Sequence, residues 1–386
     1  MSIYELGIFG DASADDRERL TNTIARMVQP FGLAIGGDVK LHDGHTIGTR
    51  DSHSAFAAAY FGGPNQGDLD AISNLTAQSL PIIPTVRPNG NFSTDIPDAL
   101  HGTNGIRLRE DDTDLTELAV SLLECIGLLR RQRRVFISYR RVESSSTALQ
   151  LHDLLSARGF DVFLDTHDIR PGEPFQEVLW NRLCDSDVMV MLDTPTYFDS
   201  KWTRQEIGRA RAKGIQVLRV IWPAHTPSKL TDLSETIYLD PENLKGVNGP
   251  LIEKTANAIV LTVESLRSRS IASRYMSITG KLRADVEMIG ATVEGIGAHR
   301  AISIRLLDDR RVWAYPVVGI PTADLFHDVA DKARRANQRE APILVYDHIG
   351  IRELWIAHLK WLDDNISSVR AIRVSEAGWT LAAWEG

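Results

Sequence analysis

The stretch Asp187-Val-Met-Val-Met-Leu-Asp193, "DVMVMLD", sets five apolar residues in a row between two carboxylates. A strand with one wet face alternates apolar and polar residues, whereas an unbroken apolar run marks a strand covered on both faces, as in a parallel sheet between helices. Working outward, "RVFISY" (134–139) and "FDVFLD" (160–165) read as strands before it, and "IQVLRVIWP" (215–223) as one after it. Between them lie three helical patterns, "ESSSTALQLHDLLSARG" (143–159), "FQEVLWNRLCDS" (175–186) and "SKWTRQEIGRA" (200–210). The first has hydroxyl residues at its start and Gly159 beyond its end, the ordinary start and stop signals of a helix. The β-α-β-α-β-α-β order predicts a flavodoxin-like, doubly wound parallel sheet over residues 133–225.

The flanks are also mixed α/β. Residues 1–130 read as strands "YELGIFG", "FAAAYFGG" and "LPIIPTV" alternating with helices that begin near Ala14, Gly67 and Leu115. The Gly/His/Asp-rich stretch "GGDVKLHDGHTIGTRDSHS" (36–54) reads as a loop, and its His42, His45 and His53 fit no zinc spacing. A basic seam, "LLRRQRR" (128–134), marks the first boundary. A long helical pattern supplies a linker over 249–285, and 286–386 reads as a C-terminal α/β or α+β domain with a hairpin turning at Asp308-Asp309.

At 386 residues, two or three domains are expected, and 43% hydrophobic with 24% charged residues is the composition of a soluble globular protein. A net charge of −8 argues against nucleic acid as the main partner. The two cysteines, Cys125 and Cys184, carry no metal or disulfide spacing, and no apolar run approaches the ~18 residues of a membrane helix. With no signal-peptide pattern at the start, a cytoplasmic location is expected.

In an open parallel sheet, ligands bind beyond the carboxyl ends of the strands. In the middle block those ends carry Ser138-Tyr139-Arg140-Arg141, then Asp165 and a loop with Arg170, then Asp193-Thr194. Trp202 and Glu206 follow on the next helix at i and i+4, so they share a face. Guanidinium groups suit a pyrophosphate, an indole suits a flat ring, and a carboxylate suits a developing positive charge. Together they fit a nucleotide whose ribosyl bond is broken. Taken singly, Arg140 and Arg141 fit surface charges equally well, and Asp165 fits a loop anchor as well as a ligand role.

The ordered set "RRVFISYRR", "GFDVFLDTHDIRPGEPF", "DSDVMVML" and "SKWTRQEI" resembles a TIR (Toll/interleukin-1 receptor) domain of the bacterial type. The resemblance makes 166–174 the BB loop and Trp202 to Glu206 the WxxxE signature. It implies that Glu206 is the catalytic residue of an NAD+-cleaving enzyme yielding ADP-ribose or a cyclic ADP-ribose isomer. NAD+ is then substrate, with no other cofactor and no metal. The resemblance also implies self-association through TIR domains and the BB loop, as in prokaryotic anti-phage defence. A non-catalytic TIR scaffold is the alternative. A phosphoryl-receiving regulator is disfavoured, because it needs clustered acids where this chain reads Ser-Tyr-Arg-Arg. "SLPIIPTV" with "IPDALHGTNGIRL" resembles the last strand and tail of TIR-type folds, which suggests a degenerate TIR-like module in the first block.

Overall fold

The computed structural model describes residues 2–128, 133–164, 175–199, 201–229 and 234–384, and for 175–178, 201 and 202 the backbone only. The chain forms two compact units: Arg130–Ile271 with Ile349–Arg352, and Met1–Leu129 with Ala272–His348 and Glu353–Gly386.

The second of these opens with a five-stranded, all-parallel sheet. Its strands are β1 (Tyr4–Gly10), β2 (Val39–His42), β3 (Ala55–Phe61), β4 (Ile82–Val86) and β5 (Ile106–Arg107), in the order β2-β1-β3-β4-β5. Side chains alternate across a strand. Ala55, Ala57 and Ala59 therefore face α1 (Ala14–Val28) and α4 (Thr116–Cys125), while Phe56, Ala58 and Tyr60 face α2 (Leu69–Ala77). A four-residue helix, α3 (Phe92–Asp95), follows β4.

The stretch 36–54 is not the loop that its composition suggests. Its Val39–His42 segment pairs in parallel with β1, and His42 is buried with Nε2 3.0 Å from Oε2 of Glu5. A buried polar pair stabilises this edge, and a reading by hydrophobicity cannot see it.

The other unit has β6 (Arg134–Ser138), α5 (Arg141–Ala157), β7 (Asp161–Leu164), α6 (Phe175–Asp185), β8 (Val188–Asp193), α7 (Lys201–Ala212), β9 (Gln216–Ile221) and β10 (Glu235–Tyr238). All pairings are parallel, in the order β10-β9-β8-β6-β7. "DVMVMLD" supplies β8 at the centre. Val188, Val190 and Leu192 pack on one face, and Met189 and Met191 on the other. α6 and α7 cover the methionine face. α5 covers the opposite face together with the first half of α8 (Glu253–Met288), through Ile259, Val260 and Val263.

That half of α8, in a stretch read from sequence as linker, is also tied to the starting ends of the strands. Glu264 takes both Nη1 (2.9 Å) and Nη2 (2.6 Å) of the buried Arg133, and Arg267 Nε lies 2.9 Å from Oδ2 of Asp187. A bidentate guanidinium–carboxylate pair fixes orientation as well as charge.

In the larger unit the chain continues with β11 (Thr292–Ile296), β12 (Ile302–Arg305), β13 (Arg311–Val317), α9 (Ala323–Arg335), β14 (Ile343–Tyr346), α10 (Glu353–Asn365), β15 (Arg370–Arg373) and α11 (Ala377–Ala382). β11, β12 and β13 are antiparallel neighbours, and β13, β14 and β15 are parallel. The β12–β13 hairpin turns through Asp308 and Asp309, with Asp309 at φ 64°. No helix among the described residues is long and apolar enough to cross a membrane.

Candidate active site

In the β10-β9-β8-β6-β7 sheet the chain leaves β6 towards β7 on one side and returns to β8 on the other. The crevice beyond the carboxyl ends of β6 and β8 is thus the topological switch point, where doubly wound sheets bind ligands. Ser138 ends β6 and Asp193 ends β8.

Ser138 is fully buried and donates its hydroxyl to Oε2 of Glu206 at 2.6 Å. The same Ser138 oxygen lies 2.6 Å from the phenol oxygen of Tyr197. A serine hydroxyl has one proton. With that proton on the Glu206 bond, the phenol is the donor to Ser138, and the chain runs Tyr197 O–H to Ser138 O–H to the Glu206 carboxylate.

Local structure sets these positions. Residues Tyr197–Asp199 form one 3-10 turn after Pro195, and Thr203 donates to the Tyr197 carbonyl at 3.1 Å. Glu206 sits one helical turn beyond Thr203, on the face of α7 that turns to the sheet, and is itself buried. Two arginines of α7 are engaged away from Glu206. Arg209 lies over the Trp180 ring at 3.7 Å, and Arg204 donates to the Phe198 carbonyl. Glu206, being buried, does not stand on the solvated face of α7.

Asp193 is buried and held by His225, whose Nε2 is 3.1 Å from Oδ1. Burial raises its pKa, an effect that His225 and Arg219 only partly offset. Glu143 bridges the crevice from α5: its Oε2 accepts the Thr196 hydroxyl at 2.9 Å and the Thr196 amide at 3.3 Å. Partial burial works against its ionised form, but hydrogen bonds from Thr194 and Thr196 hold its carboxyl below the usual range. α5 is kinked at Ser144 (φ −139°), and Ser144 donates to the Arg140 carbonyl at 3.2 Å.

Of the residues singled out from sequence, Ser138 and Glu206 are in direct contact. Tyr139 is one residue further along the strand, so it points to the other face and packs in the α5–α8 core. Arg140 is half-buried and precedes α5, while Arg141 is exposed on its first turn. Asp165, Arg170 and the 166–174 loop lie outside the described residues, and Trp202 is described only as part of the α7 backbone. Among the described residues no group of three metal-ligating side chains comes together.

Sequence reasoning missed Tyr197 and Glu143, which reach the crevice through tertiary contacts. The one local signal is "TPTY" (194–197), a proline-opened turn directly beyond the end of the central strand.

Comparison with known proteins agrees with this fold. A family model described as TIR domain matches residues 135–246. A protein of Brachypodium distachyon named "Probable 2' cyclic ADP-D-ribose synthase BdTIR" is 30% identical over 100 residues. The match takes in 26% of this chain and 43% of the plant protein. By strand order and by sequence match, residues 135–246 of this chain are a TIR domain.

Proposed function

We propose that the TIR domain cleaves NAD+ at the bond between nicotinamide and ribose, with Glu206 as the catalytic carboxylate. The observation that carries this reading is the contact of Glu206, buried on α7, with the Ser138 hydroxyl at the switch point of the sheet. Similarity to a protein named as a cyclic ADP-ribose synthase supports it.

The nicotinamide of NAD+ is cationic and leaves neutral with the bonding pair, so the leaving group calls for little acid assistance. Positive charge develops on the ribose, an oxocarbenium-like state similar to that in glycosidases. A carboxylate beside that carbon stabilises the charge by ~3 kcal/mol in a site screened from water. Glu206 also takes the proton of the attacking hydroxyl. Attack by water gives ADP-ribose, and attack by a second ribose hydroxyl or an adenine nitrogen gives a cyclic isomer. Nothing in these steps calls for a metal or a further cofactor.

Arg140 and Arg141, with Asp165, Arg170 and Trp202, remain the proposed binding groups for the pyrophosphate and ring. Self-association through the 166–174 loop is the proposed trigger, since an unregulated NAD+-consuming enzyme would deplete its own cell. A triggered enzyme of this kind fits a cytoplasmic defence protein.

Mass analysis of the products from NAD+ tests the reading, under crowding that favours assembly. Nicotinamide with ADP-ribose or a cyclic isomer is expected from the wild type and not from Glu206→Ala. Equal products from both, or none from the assembled wild type, would leave the domain as a scaffold.

A further inference from the structure

The larger unit holds a cleft of about 1030 Å³ that shares no residue with the Glu206 crevice. Small-molecule sites span roughly 300–1,000 Å³, so this cleft has room for a ligand of nucleotide size. One wall is the far edge of the first sheet, with Phe92, Asn104 and Arg107. The other is α9 with Lys332 and the short turn with His299.

Arg107 is held chiefly by backbone carbonyls, with the Asp95 carboxylate near enough to interact with its charge but not bonded to it. Its Nη1 donates to the backbone carbonyls of Pro88 (3.0 Å) and Gly90 (2.5 Å), and its guanidinium lies over the Phe92 ring at 5.6 Å. Among the described residues it forms no ion pair, because carbonyl groups rather than carboxylates fix it. The remaining N–H groups of a planar fork fixed in this way suit a phosphate.

The facing wall is ordered by a buried acid. Glu124 on α4 accepts from His299 Nδ1 at 2.5 Å and also pairs with Lys332. Burial alone would raise the Glu124 pKa, but His299 and Lys332 hold it at about 2. The bond to Nδ1 fixes the ring and leaves Nε2 as its other polar atom. His299 and Arg300 are also consecutive left-handed residues, at φ 60° and 57°. Such strain persists only where surrounding contacts over-determine it, and here Glu124 grips His299 while the Cys125 carbonyl takes Arg300 Nε at 2.5 Å.

We propose that this cleft binds a phosphorylated small molecule of nucleotide size, with Arg107 anchoring the phosphate and His299 facing it from the opposite wall, where Lys332 is held by Glu124 and Asp328. A nucleic acid strand fits less well. Glu117, Asp328 and Asp331 line the same cleft, and the whole chain carries a net charge of −8, so a long polyanion would have to run past these carboxylates, whereas a compact anion can sit at Arg107 alone. The inference goes beyond the reading of Glu206 and does not depend on it.

Hydrogen exchange of the full chain with ADP as probe, and with adenosine as the control that lacks phosphate, tests the proposal. ADP is expected to slow exchange in 92–109 and 323–337. No slowing there, or slowing confined to 135–246, overturns it. Arg107→Gln is expected to weaken ADP by about tenfold or more while leaving adenosine unchanged. Arg107 also ties down its own loop, so a second variant is needed that leaves that loop untouched. Asn337→Asp adds a carboxylate at an exposed lining position and is expected to weaken ADP several-fold. ADP affinity indifferent to both changes, or equal affinity for adenosine and ADP, sinks the assignment.

Discussion

The first sheet and the TIR sheet are wound in the same order, and in both a carboxylate from the segment after the third strand reaches the end of the first. In the TIR domain Glu206 takes the Ser138 hydroxyl. In the first sheet Asp68 Oδ2 takes the backbone N–H of Gly10 at 3.0 Å. Gly10 has φ +75°, and a Cβ there would lie 2.4 Å from the Phe61 carbonyl oxygen. No side chain fits at Gly10 itself, so the first strand carries no counterpart of Ser138, although the Tyr60 phenol lies nearby. The winding places a carboxylate at the switch point in both sheets. Whether a hydroxyl on the first strand meets it is decided by one residue.

The comparison breaks most directly by exchanging the two acids for their amides. Glu206→Gln is expected to lower NAD+ cleavage by about 10²–10³-fold, the scale of a lost general base or charge stabiliser. Asp68→Asn should leave the rate unchanged. Nicotinamide release from assembled protein measures both, and an equal loss in the two variants would end the distinction.

At the opposite end of the TIR sheet, Arg133, Glu264, Arg267 and Asp187 are buried charges that satisfy one another. Glu264→Ala leaves Arg133 without that partner in the interior, and a loss of about 3–5 kcal/mol in urea unfolding is expected. A loss under about 1 kcal/mol would show that α8 is not an integral layer of this sheet.

In the larger unit the charge is invested away from the strand ends, at Glu124 on α4. Its pKa of about 2 lies below the ordinary value of 4.5, so its contribution is present above pH 4.5 and is lost as pH falls towards 2. The contribution is about 3 kcal/mol. Unfolding free energies between pH 6 and pH 2.5 should slope downward in the wild type, and the slope should flatten in Glu124→Gln. An unchanged slope in the variant would place the acid sensitivity elsewhere.

The doubly wound fold was legible because covered parallel strands write themselves as apolar runs, of which "DVMVMLD" is the plainest. β2 escaped because its pairing buries Glu5 and His42, and a polar pair leaves no periodic trace. β10 escaped because an edge strand whose four residues are all half-buried or exposed lacks that apolar signature. In the site, Ser138 and Glu206 could be named from strand-end position and motif, but the phenol that completes their chain could not. Tyr197 arrives from a turn nine residues before Glu206, and only the fold brings its hydroxyl to Ser138. Tyr139 shows the converse. It adjoins Ser138 in sequence yet lies on the other face, as alternation along a strand dictates.

The smallest expected effects sharpen the comparison further, because they ask whether the hydroxyl chain matters beyond the acid itself. Ser138→Ala removes a hydrogen bond to a charged group, a loss of about 1.5–3 kcal/mol if that bond holds Glu206 in its reacting position. Tyr197→Phe removes only the bond behind it, between two neutral groups, and about 0.5–1.5 kcal/mol is expected. The rate should therefore fall about 10- to 100-fold in the first and about 3- to 10-fold in the second, in kcat rather than KM, since neither group is assigned to substrate binding in this ordering. Reversal of the order would mean that Tyr197 acts on substrate directly rather than through Ser138. Equal rates in all three proteins would mean that Glu206 needs no orienting hydroxyl, and the Gly10 strand end would then cease to explain why the first sheet lacks this chemistry.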